Sequence, residues 1–247
     1  MVGFGTIINM VAILLGSTAG VLVGHRMPER MRELVTTVLG LVVLVIAAAN
    51  IIAFTSAPLA ADVGEAAPLL IVLGALLIGG ILGSGLHIER RLESFGGWAQ
   101  ARFSRSEGES GRARFVEGFV DASLLFCIGP LAILGAISDG LGNGIEQLVL
   151  KSILDGFAAL AFAASLGWGV ALSAVSVGLV QGIFTVLGLL AGEVLPDSYI
   201  DAVTATGGVL LLGVGIRLLK IKAIPVADLL PALVVAPVLV WVVSRFI

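Results

Sequence analysis

Apolar runs of about twenty residues follow one another along this chain, and only short polar connections separate most of them. A helix of that length crosses a hydrocarbon layer of about 30 Å, and lipid offers no partner to an unpaired backbone group, so runs of this kind lead to membrane-spanning helices. Runs bounded by charge, glycine or proline predict eight spans, at about 4–24, 32–54, 67–87, 117–138, 146–166, 168–192, 202–220 and 226–246, or seven if one does not cross. Composition agrees: the 247 residues are 58% hydrophobic and 13% charged, where a soluble domain carries about 25% charged residues. The period-two alternation of an outer-membrane barrel is missing. The expected fold is all-α, a polytopic transmembrane helical bundle forming a single integral membrane domain over residues 1–247.

Charge placement gives an independent reading of the same spans. Twelve of the 14 basic residues fall in three places: Arg26, Arg30 and Arg32 after the first span, six arginines between Arg90 and Arg114 after the third, and Arg217, Lys220 and Lys222 around the end of the seventh. Eight spans put all three on one side, whereas SAPLAADVGEA and GEVLPDSYID, after the second and sixth, carry no basic residue. The positive-inside rule then makes the arginine-rich connections cytoplasmic and places both termini outside a bacterial inner membrane. The N-terminal stretch has no basic residue ahead of its apolar run and reads as a retained first helix rather than a signal peptide. The one sizeable polar region, His87 to Phe115, opens with Ile88, Leu92, Phe95 and Trp98 set among charges, the pattern of an amphipathic helix lying at the interface. Ser104 to Gly111 reads as a flexible turn. The segment from about 88 to 115 is thus a cytoplasmic amphipathic loop.

An internal repeat accompanies these spans. Sliding the chain by 168 residues lays LVGHRMPERMRELVTTVLGLVVL over LAGEVLPDSYIDAVTATGGVLLL, pairing Pro28 with Pro196, Thr36 with Thr204 and Gly40 with Gly208. The offset is an odd number of spans, so the hairpins of about 4–54 and 168–220 would be inverted relative to one another around a central hairpin of about 117–166. Inverted repeats are the architecture of many secondary transporters, whose sites lie near the midplane on broken helices. Glycines recur at helical spacing, as in Gly16, Gly20 and Gly24, and small residues so placed let helices approach closely. Such faces serve packing within one chain, and they also allow a homodimer.

Candidate site residues are the polar groups within apolar spans, because ionisable side chains at membrane depth are costly and mark function. On the fourth span Asp121 lies one turn beyond Glu117, and Ser123, Cys127 and Pro130 follow at spacings that share a direction. Gly129-Pro130 predicts a kink or unwound turn, since proline lacks the N–H that would bond residue 126. On the fifth span Lys151 and Asp155 form an i, i+4 couple beside Ser152. Asp155 is about 13 Å into that span. Asn9, mid-span beside Gly5 and Thr6, completes the set, whereas Asn50 and Gln181 read as interhelical glue.

Several activities are excluded or disfavoured. A lone cysteine, Cys127, permits neither an internal disulfide nor a cysteine-cluster metal site, and His25 and His87 lack metal-ligand spacing. The net charge of −3 implies no nucleic-acid partner. GxSxG, HExxH and GxxxxGK[ST] are all missing, which points away from a nucleotide-driven pump and from an enzyme. FVDASLLFCIGPLAILGAISDGL followed by KSILDG, with GTIINMVAILLG before and GGVLLLGVGIRLL after, resembles the bacterial membrane proteins of the family called domain of unknown function 554. The resemblance covers nearly the whole chain and implies a multi-pass inner-membrane transporter without an assigned substrate. The expectation is a secondary transporter of a small polar solute or ion, in contact with membrane lipid, with no cofactor beyond a coupling proton or monovalent cation. A channel using the same residues, or a non-transporting scaffold or regulator, is the alternative.

Overall fold

The computed structural model describes residues 2–103, 109–191 and 196–246, and these are helical with no strand among them. In chain order they form α1 (Phe4–Gly24), α2 (Glu29–Ile51), a 3-10 turn (Ile52–Thr55), α3 (Ala57–Val63), α4 (Ala67–Leu86), α5 (Ile88–Phe103) and α6 (Glu109–Cys127). There follow α7 (Pro130–Gly140), α8 (Glu146–Leu166), α9 (Gly169–Ala191), α10 (Asp197–Leu218), a second 3-10 turn (Val226–Leu229) and α11 (Ala232–Val243). Local chemistry sets several of these ends. Ser56 caps α3 by accepting the Leu59 N–H, and prolines stand in the first turns of α3 and α4, where a missing N–H costs nothing. Gly167, at φ +80°, ends α8 in the left-handed region that only glycine enters freely.

Seven helices among the described residues are long and apolar enough to span a membrane, and the bent pair α6–α7 would make an eighth. Val45, Ile81, Phe157 and Leu190 are each 70–76% exposed, which water would not tolerate over so many helices but lipid accepts. The helix expected after the third span is α5. Of the turn expected from Ser104 to Gly111, residues 104–108 lie outside the described residues and the remainder already belongs to α6. This helix starts at Glu109, earlier than the expected span at about 117, because a helix can run on into water past the end of its apolar stretch.

Contacts divide the chain into two compact units, residues 1–39, 92–127 and 131–194 in the first, and 40–91, 128–130 and 195–247 in the second. In the first unit α1 and α8 run parallel: Gly16, Gly20 and Gly24 lie against the backbone carbonyls of Gly156, Leu160 and Ala164, so closely that a Cβ on any of the three glycines would collide. The glycine ladder of α1 is thus used within the chain. Helix α6 runs parallel to α9, with Gly118 against Leu166 and Val170 and Ser123 bonded to Ser176. At its far end α7 reaches the start of α1, where Asp139 caps the helix, and the start of α8, where Gly135 meets Leu148. The axis bends by 63° between Gly111–Cys127 and Leu131–Gly140. Because α6 starts beside the end of α8 and α7 ends beside its beginning, the bent pair traverses the unit as one broken span rather than turning back.

In the second unit α4 and α11 are antiparallel, with Gly79 against Ala232 and Gly83 against the Asp228 carbonyl. Residues 40–51 of α2 likewise oppose α10, Gly208 lying on Ala47 and Ile51, and Gly215 on Leu44. Leu59, Val63, Ile71, Ala75, Ala236 and Val240 form part of a core beneath α3 and α4. Helix directions in both units are those that eight alternating spans require. At the break itself, Ile128 packs over Gly207.

Candidate functional site

Parallel packing through glycine brings α1 and α8 close enough for side chains to cross between them. At mid-helix on α8, Lys151 and Asp155 are four residues apart and therefore on one face. The Lys151 ammonium lies 2.8 Å from Asp155 Oδ2 and donates to Oδ1 at 3.0 Å, and both side chains are only 9% exposed. From α1, fully buried Asn9 donates its Nδ2 to Asp155 Oδ2 at 3.0 Å. An ionised carboxylate only accepts, so this contact orients the amide and leaves Asn9 Oδ1 pointing elsewhere. That oxygen is buried and has no partner among the described residues. Cation, anion and amide dipole thus neutralise one another where any one alone would be expensive.

The other expected site residues take varied places. Ser152 donates to the Leu148 carbonyl of its own helix at 2.6 Å. Ser123 bonds Ser176 of α9 at 2.9 Å, which ties α6 to α9. Cys127 is the last residue of α6 and is partly buried. Asp121 is fully buried, but at 3.6 residues per turn it projects about 140° around α6 from Phe126. Phe126 packs edge-on against Phe162 of α8. Gly129 adopts φ +153° with open space about it, and Pro130 opens α7, its side chain lying outside the described set. The kink predicted from this dipeptide is present as a full break between two helices.

Other polar groups matter here without having been singled out. Asp139, 2% exposed, accepts the Gly3 N–H at Oδ1 and the Gly5 N–H at Oδ2, each at 3.0 Å. A carboxylate there satisfies two donors that α1 itself cannot and complements the helix dipole. Its only trace in the sequence was an acidic residue before a glycine-rich turn. Gln181 was expected to be interhelical glue, yet both amide atoms of this fully buried side chain lack partners among the described residues. Thr185, one turn further on α9, and Thr6, on α1, likewise have buried and unpartnered hydroxyls. Met10 packs on Gly178, which sets α1 against α9 in an antiparallel register and directs these groups toward the same end of the unit. Unsatisfied buried polar atoms cost about 1–3 kcal/mol each, so Asn9, Thr6, Gln181 and Thr185 are the polar groups of α1 and α9 for which the described residues supply no complete set of partners.

Comparison with known proteins agrees with this picture of an embedded helical protein. The DUF554 family, described as a protein of unknown function, matches residues 4–241. An uncharacterized protein YqgA of Escherichia coli (strain K12) is 34% identical over 94% of both chains. An uncharacterized membrane protein YdfK of Bacillus subtilis (strain 168) is 28% identical over 98% of both. No solved structure matches. With its apolar helices, its buried polar cluster and a family match over almost its full length, the chain belongs to the DUF554 family of membrane proteins.

Proposed function

We propose that this protein is a gradient-coupled secondary transporter that moves a small polar solute or ion across the bacterial inner membrane, with its basic connections in the cytoplasm and both termini outside. The observation that carries the reading is the Asp155 carboxylate, midway along α8 and held between Lys151 and Asn9 of the parallel α1. A proton or monovalent cation reaching Asp155 weakens its hold on Lys151, whose ammonium then becomes available to an acidic substrate group. The break at Gly129-Pro130 is where transporters expose backbone to a substrate. An inverted repeat fits the helix directions too: α1 opposes α9 through Met10 and Gly178, and α2 opposes α10 through Leu44 and Gly215. No enzymatic step belongs to this proposal.

The test is current recorded from proteoliposomes on a solid support during jumps in Na⁺, K⁺, pH, amino acids, carboxylates and small amines. One class should give a saturable current in the wild type that disappears in Asp155→Asn and Lys151→Ala, while both variants still insert and purify as folded protein. Currents of wild-type size in both variants would overturn the assignment. Silence of the wild type toward every probe would favour the scaffold reading.

A further inference from the structure

A second site lies at the other end of the first unit, away from Asp155 and at the end where its arginines gather. The N-terminus of α2 and the junction of α8 with α9 enclose a cavity of about 100 Å³, whose walls include His25, Arg32, Arg114, Ser165, Gly167 and Trp168. Arg32 is held there from two directions. Its Nη2 donates to the Gly24 carbonyl at 2.8 Å, and its own carbonyl accepts the Ser165 hydroxyl at 2.6 Å. Thr36 lies 2.6 Å from Ser165 and completes the clamp. So fixed, the guanidinium keeps its Nε buried and without a partner among the described residues. Arg114 lines the same cavity and forms no ion pair with a described residue. Helix α9 starts here as well, with the Val170 and Ala171 N–H groups bonded to the Gly167 and Trp168 carbonyls of the junction. Two arginines lining one cavity select an anion with several oxygens.

Beside this cavity runs a groove of about 420 Å³ between α1 and α9, lined by Met10, Leu14, Ala171, Leu172 and Val175. The two spaces share Phe115 and Trp168 as walls. From Trp168 to Val175 the groove follows α9 for about 10 Å, a large part of one leaflet's depth, and its lining is almost wholly apolar. A soluble anion would fill the cavity and leave the groove empty. One molecule that occupies both has a phosphodiester head and a hydrocarbon tail.

We propose that the first unit binds one anionic phospholipid, its phosphate in the cavity of Arg32 and Arg114, and an acyl chain in the groove between α1 and α9. The site is independent of the transport reading, since it shares no residue with the Lys151–Asp155 cluster. Native mass spectrometry of the detergent-purified protein tests it, with dioleoyl phosphatidylglycerol, dioleoyl phosphatidylcholine and inorganic phosphate as probes. The wild type should retain one phosphatidylglycerol in preference to phosphatidylcholine, and the preference should fall roughly fivefold in each of Arg32→Gln and Arg114→Gln. Ala171→Trp, which fills the groove and leaves the arginines in place, should reduce retention of both lipids. Should Arg32→Gln fail to fold, the Arg114→Gln and Ala171→Trp variants decide the matter. Equal retention of the two lipids by the wild type, or a preference unchanged by the arginine variants, would overturn the proposal. Displacement of the lipid by millimolar phosphate, with no effect of Ala171→Trp, would assign the cavity to a soluble phosphate instead.

Discussion

Asp155 shows how much one residue owes to its neighbours. On α8 alone it has Lys151, an i, i+4 partner of the kind visible in any helical sequence. Its third contact, Asn9, is 146 residues away in the chain and arrives only when α1 docks. Burial makes the balance delicate, because removing one member of a buried pair leaves an uncompensated charge at a cost of about 3–5 kcal/mol, whereas replacing both by apolar groups is close to neutral. Lys151→Met and Asp155→Leu should therefore each destabilise by about that amount, and the double variant should recover most of the loss while transport stays absent. Denaturant unfolding in detergent measures the cycle. A double variant as unstable as the two single ones combined would mean that the pair does not act as a unit.

At the level of elements, close approach decides the architecture. Lipid tails are as apolar as leucine, so spans gain little by burying one apolar face rather than another, and backbone proximity through small residues takes over. Gly16, Gly20 and Gly24 meet three carbonyls of α8 in register. Gly85, by contrast, has nothing within 4 Å of where a Cβ would stand. Gly20→Leu should separate α1 from α8, cost at least about 3 kcal/mol and pull Asn9 away from Asp155. Gly85→Ala should be neutral or stabilise by up to about 1 kcal/mol through helix propensity. Melting temperatures in detergent compare the two, and equal losses would mean that the glycine ladder does not hold the pair together. A second tie acts at the start of α5, where Asp228 accepts the Glu89 N–H at 2.8 Å and Glu89 in turn receives Arg217 at 2.6 Å and the Ala227 N–H at 2.7 Å. This joins the first turn of α5 to α10 and to the turn before α11.

For the molecule as a whole, the topology hangs on whether the bent pair α6–α7 crosses. In the first unit α6 begins beside α9's start and α7 ends at the capped start of α1, the arrangement that an eighth crossing requires. Single cysteines in a Cys127→Ser background test this directly. Asn143→Cys, just after α7, and Glu65→Cys should react with a membrane-impermeant maleimide from one side of the membrane, and Arg26→Cys and Lys222→Cys from the other. Labelling of Asn143→Cys from the same side as Arg26→Cys would make α6–α7 a re-entrant loop and would undo the segregation of basic connections.

The sequence by itself determined the membrane class, the position of nearly every span and the Lys151–Asp155 couple. These follow from run length, charge and i, i+4 spacing, all of which are local properties. It also predicted the interruption at Gly129-Pro130, because proline's missing N–H acts on its own helix. Only the tertiary structure decided that α1 lies parallel to α8, that Asn9 reaches Asp155, that Asp139 caps a helix whose start is more than a hundred residues away, and that Gln181 finds no partner among the described residues. In spans that are apolar all round, hydrophobic periodicity gives little sign of which face meets a helix and which meets lipid. The choice falls to small residues and buried polar contacts, whose partners are set by packing rather than by distance along the chain.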